Sequence, residues 1–169
     1  MNTDTHTNEI SGEAMALAGK YMTFKVASEE YGVAILKVRE LIGLMDITHV
    51  PQTPPWVRGV INLRGKVIPV ADLRVKFSMA PTESTDQTVI IVVQLVSSAG
   101  VSIMGVLVDE VLEVLDIRTH QIEPPPSFGS ASTDTNFILG VGKSEKRVIF
   151  LLDIDAVLAP EDALRLGRM

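Results

Sequence analysis

The sequence predicts an all-β protein built as two small barrels of about five strands each, and three observations lead there. Short stretches rich in Val and Ile alternate with polar residues at the period of two that marks a half-buried strand. Gly, Pro, Ser and Asn punctuate the chain between these stretches. The chain also matches itself. Shifted by 81 positions, Gly59-Val60 falls on Gly140-Val141, Val67-Ile68 on Val148-Ile149 and Asp72 on Asp153. Shifted by 73, Gly32-Val33 falls on Gly105-Val106, Val38 on Val111, Glu40 on Glu113 and Pro51 on Pro124. Two halves therefore share one strand plan, approximately 20–80 and 87–159.

Composition narrows the function. The 169 residues suit one ordinary domain or two very small ones, and such a chain buries roughly two thirds of its unfolded surface. With Cys 0 there is no disulfide framework, thiolate nucleophile or zinc thiolate cluster, and a reducing, cytoplasmic setting fits. The N-terminus lacks the basic start and apolar core of a secretory signal, and the apolar run near Val89–Val96 is too short to span a bilayer. A formal net charge of -6 without a basic stripe argues against nucleic acid as partner.

Taken in order, residues 1–19 read as a mobile polar tail. Met22, Phe24 and Val26 alternate with Thr23 and Lys25 as a strand, and Ser28-Glu29-Glu30 supplies a turn. Tyr31 to Ile35 and Val38 to Ile42 continue the extended pattern, although Ile35 to Glu40 equally suits one helical turn. Pro51, Pro54 and Pro55 close the segment by removing backbone donors. Gly59 to Leu63 and Lys66 to Val70 form a hairpin at Arg64-Gly65, where glycine accepts positive φ. Met79 to Asp86 is a linker. Thr88 to Val96, Val101 to Val108, Val111 to Ile117, Phe137 to Val141 and Arg147 to Ile154 are further strands. Pro124-Pro125-Pro126 and the Ser/Thr/Gly-rich loop 127–136 separate them, a short helix begins at Asp153, and 160–169 is an extension.

Several chemistries are set aside on residue grounds. Gly140-Val141-Gly142-Lys143-Ser144 ends like a phosphate-binding loop, but Phe137 stands where the first glycine belongs and the flanks read as strands. His6, His49 and His120 accompany no nucleophile elbow or paired-histidine motif. Asp153 repeats Asp72 and serves to cap a helical turn, so the carboxylates need no metal or glycosidase reading. Trp56 and Phe128 lie in loops, where each suits either barrel-end packing or anchoring of a partner. Glu40 and Arg64 are charged residues in apolar surroundings, and two compatible readings stand: pairing with each other, and contact with a partner through the guanidinium fork. The repeat bears on this, because Asn62-Leu63-Arg64-Gly65-Lys66 falls opposite Lys143-Ser144-Glu145-Lys146-Arg147, so the strand plan survives without Arg64.

The ordered combination of Tyr31-Gly32-Val33-Ala34-Ile35-Leu36-Lys37-Val38-Arg39-Glu40, Ile47-Thr48-His49-Val50-Pro51, Arg58-Gly59-Val60-Ile61-Asn62-Leu63-Arg64-Gly65 and Ile68-Pro69-Val70-Ala71-Asp72-Leu73-Arg74 resembles the CheW family of bacterial chemotaxis coupling proteins. The likeness runs from about Tyr21 to Leu158. It implies two SH3-like five-stranded β-barrel subdomains packed together with a short C-terminal helix, without active site, cofactor or metal. Because the family's barrels exchange strands, the sequence halves need not be barrel boundaries.

The resemblance further implies a cytoplasmic scaffold, recruited to receptor arrays at the inner face of the membrane without inserting into it. Its partners would be the cytoplasmic hairpin of chemoreceptors and the regulatory domain of the histidine kinase CheA. Receptor contact is implied at Val38, Glu40, Arg58, Gly59, Asn62, Arg64, Val111 and Val114, in a groove between the barrels, and kinase contact at Phe128. The alternatives are a CheW-like adaptor of another chemosensory array, for surface motility or development, and a nucleotide binder using Gly140–Ser144. The related CheV proteins add a receiver domain, for which this chain has no room.

Overall fold

The computed structural model describes residues 16–125 and 137–158. Eleven strands run through them: β1 Gly19–Val26, β2 Glu29–Ala34, β3 Val38–Gly43, β4 Val57–Leu63, β5 Lys66–Asp72, β6 Val89–Ser97, β7 Gly100–Val108, β8 Glu110–Ile117, β9 Ile122–Glu123, β10 Ile138–Ser144 and β11 Arg147–Leu152. Two one-turn helices follow β5 and β11, α1 Leu73–Lys76 and α2 Ile154–Val157. Single 3-10 turns lie at Ile35–Lys37 and Thr119–Gln121. Ile35–Lys37 therefore resolves the open choice after β2: a helical turn first, then the strand from Val38. The first hairpin turns at Ala27-Ser28, one residue ahead of the expected Ser28-Glu29-Glu30, since Val26 pairs with Glu29. Of the helix expected from Asp153 onward, Ile154–Val157 is seen, and the stretch beyond Leu158 lies outside the described residues.

The strands make two sheets, each an SH3-like barrel. One has the order β8-β1-β2-β11-β10-β9 and the other β3-β6-β7-β5-β4. The sixth strand of the first is the two-residue β9. The sheets do not follow the sequence halves. In the five-stranded barrel β5 pairs in parallel with β7, Val70 opposite Gly105 and Ala71 opposite Val106. In the six-stranded barrel β11 pairs in parallel with β2, Leu151 opposite Gly32 and Leu152 opposite Val33. The two pairings are images of each other under the offsets of 81 and 73, so the halves have traded their N-terminal hairpins.

The same equivalence reaches small details. A register break between Val57 and Gly59 recurs between Ile138 and Gly140. Asp72 caps α1 by accepting from the Arg74 amide, and Asp153 caps α2 by accepting from the Ala156 amide. The Asp72 amide donates to the Trp56 carbonyl at 2.7 Å, and the Asp153 amide to the Phe137 carbonyl at 2.8 Å.

Each barrel has a small core of its own, Tyr21, Ile117, Ile122, Ile149 and Leu151 in one and Ile61, Ile68, Val70, Ile90, Val92 and Leu107 in the other. The largest apolar cluster lies between them. It combines Met22, Phe24, Tyr31 and Val33 of the six-stranded barrel with Trp56, Ala71, Ile91, Val93 and Val106 of the five-stranded one. Aromatic contacts cross the same boundary, from Phe24 to Tyr31 to Phe77 to Phe137. Burial against this cluster raises the Tyr31 phenol to about 12. Trp56 belongs here. It is buried, with the Lys76 ammonium 4.5 Å from its ring centroid, so its place is packing rather than display.

Candidate functional site

The β4–β5 hairpin closes through the two-residue turn Arg64-Gly65, with φ of 51° and 85°. Two successive left-handed residues make a type I′ turn, whose twist matches that of the flanking strands. Gly65 takes this conformation freely, whereas Arg64 carries a side chain in a region that L residues seldom occupy. The Asn62 Oδ1 accepts the Gly65 amide at 2.8 Å and fixes the turn. Arg64 is thereby held out at the tip, 71% exposed, and its guanidinium donates to the Glu40 carboxylate on β3. Because β3 and β4 are opposite edges of the five-stranded sheet, this contact closes the barrel's seam. The hydrogen bond to Glu40, then its charge, raise the Arg64 pKa.

Arg58 and Gly59 hold the hairpin in place. The Arg58 Nη1 donates to the Asp72 Oδ2 at 2.9 Å, and the buried Asp72 carboxylate also accepts the Arg74 amide at 3.0 Å. Gly59 sits at φ 147°, and a Cβ there would lie 2.2 Å from the Thr48 carbonyl oxygen. Thr48 and Val60 exchange backbone hydrogen bonds at 2.8 and 2.9 Å, so the close approach is what binds the β3–β4 connection to β4. Val38 opens β3 half-buried against the shared core, and Val111 does the same on β8. Val114 is exposed.

The implied receptor residues thus fall on two elements sets. Val38, Glu40, Arg58, Gly59, Asn62 and Arg64 belong to the five-stranded barrel, where Glu40 meets Arg64 directly. Val111 and Val114 belong to β8, an edge of the six-stranded barrel. Phe128 lies outside the described residues.

Sequence reasoning missed a second ion-pair cluster. Val38, Glu40 and Leu41 on β3 correspond to Val111, Glu113 and Val114 on β8, and Glu113 also has an arginine: the Arg147 Nη1 donates to it at 2.7 Å. The other arm of Arg147 reaches Glu30, with Nη2 at 2.6 Å and Nε at 2.9 Å. Both carboxylates raise the Arg147 pKa, Glu30 first. A bulge in β8 against β1 carries Glu113 there, anchored by the buried Thr23, whose hydroxyl donates to the Glu113 carbonyl at 2.6 Å and accepts its amide at 3.1 Å. Beside it an open cleft is floored by Val111 and Leu112 and rimmed by Lys25, Glu30 and Arg147. The match of Glu40 to Glu113 was the signal that could have found Arg147. A carboxylate–arginine pair is therefore common to both barrels, and what Arg64 alone adds is its place on an exposed turn.

The segments set aside earlier have structural employment. Gly140–Ser144 is the second part of β10 and runs straight into the β10–β11 turn at Glu145-Lys146, a strand–turn–strand path. Asp153 caps α2, and Asp155 accepts from the Lys37 ammonium at 2.6 Å and the Val96 amide at 2.8 Å.

Comparison with known proteins gives a consistent result. The family profile described as "CheW-like domain" matches residues 20–162. A "Chemotaxis protein CheW" of Klebsiella aerogenes is 35% identical over 155 residues, covering 92% of this chain and 89% of the relative. One of Rhizobium meliloti is 36% identical, covering 88% and 97%. The crystal structure of the scaffolding protein TtCheW from Thermoanaerobacter tengcongensis superposes with a TM-score of 0.74 at 34% identity, covering 84% of this chain and 93% of that one. The double barrel, its hairpin tip and these likenesses agree: the chain belongs to the CheW family of chemotaxis scaffold proteins.

Proposed function

We propose that the protein is a non-enzymatic cytoplasmic adaptor that couples the cytoplasmic hairpin of chemoreceptors to the histidine kinase CheA. The receptor surface is centred on Arg64 and Glu40, flanked by Val38, and extended by Val111 and Val114 on the other barrel. Arg58, Gly59 and Asn62 serve it by fixing the hairpin, and Phe128 contacts the kinase's regulatory domain.

The observation that carries this reading is the placement of Arg64. An exposed ion pair contributes little to stability, and a left-handed backbone at a non-glycine residue opposes it. Its guanidinium is nonetheless held at a fixed point by the turn, the Asn62 bond and Glu40. A pre-positioned, accessible fork suits recognition of a partner carboxylate or carbonyl. The scaffold brings the two partners together in one geometry, for which binding alone suffices.

Co-sedimentation with receptor signalling domains and kinase tests the reading. Arg64→Ala should lose receptor while retaining its fold and the kinase. Unchanged binding of both partners by the folded variant overturns it.

A further inference from the structure

Among the described residues the chain passes between the two barrels twice, through Ile35–Lys37 between β2 and β3 and through Asp109 between β7 and β8. Each passage carries one member of an ion pair whose other member stands on a one-turn helix. At Asp109 the carboxylate accepts from the Arg74 Nη2 at 2.6 Å and Nε at 3.0 Å, and from the Ala27 amide in the β1–β2 turn at 2.8 Å. At the other passage the Asp155 carboxylate takes the Lys37 ammonium at 2.6 Å and the Val96 amide of β6 at 2.8 Å. Each carboxylate therefore ties elements of both barrels to a crossing point.

The two clasps are equivalents with their signs reversed. Arg74 and Asp155 correspond under the offset of 81, and Asp109 and Lys37 occupy the matching passages. All four side chains are about three-quarters covered, with exposures of 29% and 28% in one pair and 20% and 27% in the other. The apolar core shared by the barrels resists their separation, but apolar burial has no direction of its own. Two covalent crossings leave rotation about the line joining them as the remaining freedom, and charge-assisted hydrogen bonds are directional.

We infer that the barrels articulate about the line through residues 35–37 and Asp109, and that the Arg74–Asp109 and Lys37–Asp155 clasps brace this hinge and set the angle between the barrels. Val38 directly after Lys37 and Val111 two residues beyond Asp109 lie beside this line and keep their spacing, whereas a change of angle swings the Arg64 hairpin tip of one barrel relative to Val114 of the other. That last consequence alone rests on the proposed receptor surface; the hinge does not.

The chain has Cys 0, so two introduced thiols can carry spin labels without interference. Val67→Cys and Val148→Cys place them at exposed, equivalent positions, one on each barrel. Pulsed electron double resonance on the whole chain, free of partners, should give a narrow distance distribution. Arg74→Gln or Lys37→Gln should make it about twofold broader or displace its maximum, and the two together should do so further. Raising NaCl to about 1 M, where screening reaches ~3 Å, should move the unsubstituted labelled protein in the same direction. Near-UV circular dichroism verifies that each variant is folded, and should a variant unfold, the salt series decides. A distribution unchanged in the folded variants, or unchanged by salt where no variant folds, overturns the hinge. Receptor binding measured separately bears on the adaptor reading: a variant that moves the barrels yet binds receptor normally counts against the receptor surface and leaves the hinge standing.

Discussion

Arg64 and Glu40 meet across the seam of the five-stranded barrel, one from the tip of a hairpin and the other from the opposite edge strand. The contact joins two tasks at one point, closing the barrel and presenting a guanidinium.

These tasks separate experimentally. Asn-Gly is the favoured pair for a type I′ turn, so Arg64→Asn should raise the melting temperature by roughly 1–4 °C. The same variant should weaken receptor binding about tenfold or more, as expected of an arginine anchor. Stability and binding moving together in scanning calorimetry and co-sedimentation would contradict the assignment.

Gly59 admits no side chain. Its missing Cβ would stand 2.2 Å from a backbone oxygen, which must shift for any other residue, so Gly59→Ala should cost about 2–4 kcal/mol in urea unfolding. Gly140→Ala, where the equivalent approach to the Glu123 carbonyl is 3.0 Å, should cost less. Gly65→Ala has open space around it, and should lose only the left-handed preference, about 1 kcal/mol.

Asp72 is buried, accepts from Arg58 and caps α1. Asp72→Ala leaves the helix amide and the guanidinium without it and should destabilise by about 1–3 kcal/mol, read from the urea midpoint.

Alkali should act through Tyr31. Its phenol, raised from 10.0 to about 12, stays protonated in the folded chain while the unfolded chain ionises. Between pH 10 and 12 the unfolded state therefore binds fewer protons and stability falls as pH rises, by up to about 2–3 kcal/mol. Below pH 10 the contribution is complete. Tyr31→Phe should flatten that part of the pH profile of the urea midpoint; Tyr21, raised in the same direction by burial, leaves a residual slope.

The strand plan was legible because strands such as β3 and β4 alternate buried and exposed residues and the strands buried on both faces, such as β6, are runs of Val and Ile, and the β4–β5 turn because Gly65 announces positive φ. The traded hairpins were not legible in the offsets, which reveal which segments are equivalent and say nothing of which are neighbours; the family resemblance alone pointed to exchanged strands. Arg147 escaped notice for a different reason: it sits two positions past the place that Arg64 occupies in its own hairpin, and sequence comparison position by position passes over a partner displaced by two.

The traded hairpins also set an order of manufacture. A chain made from its N-terminus completes β1 and β2 first, but their parallel neighbour β11 begins at Arg147, more than roughly a hundred residues later. At about 5–20 residues per second the hairpin waits on the order of 5–20 s on the ribosome, with the side of β2 that will meet β11 unpaired. The five-stranded barrel can finish as soon as β7 emerges, so the nascent protein should pass through a stage with one barrel closed and the earliest-made strands still without a home.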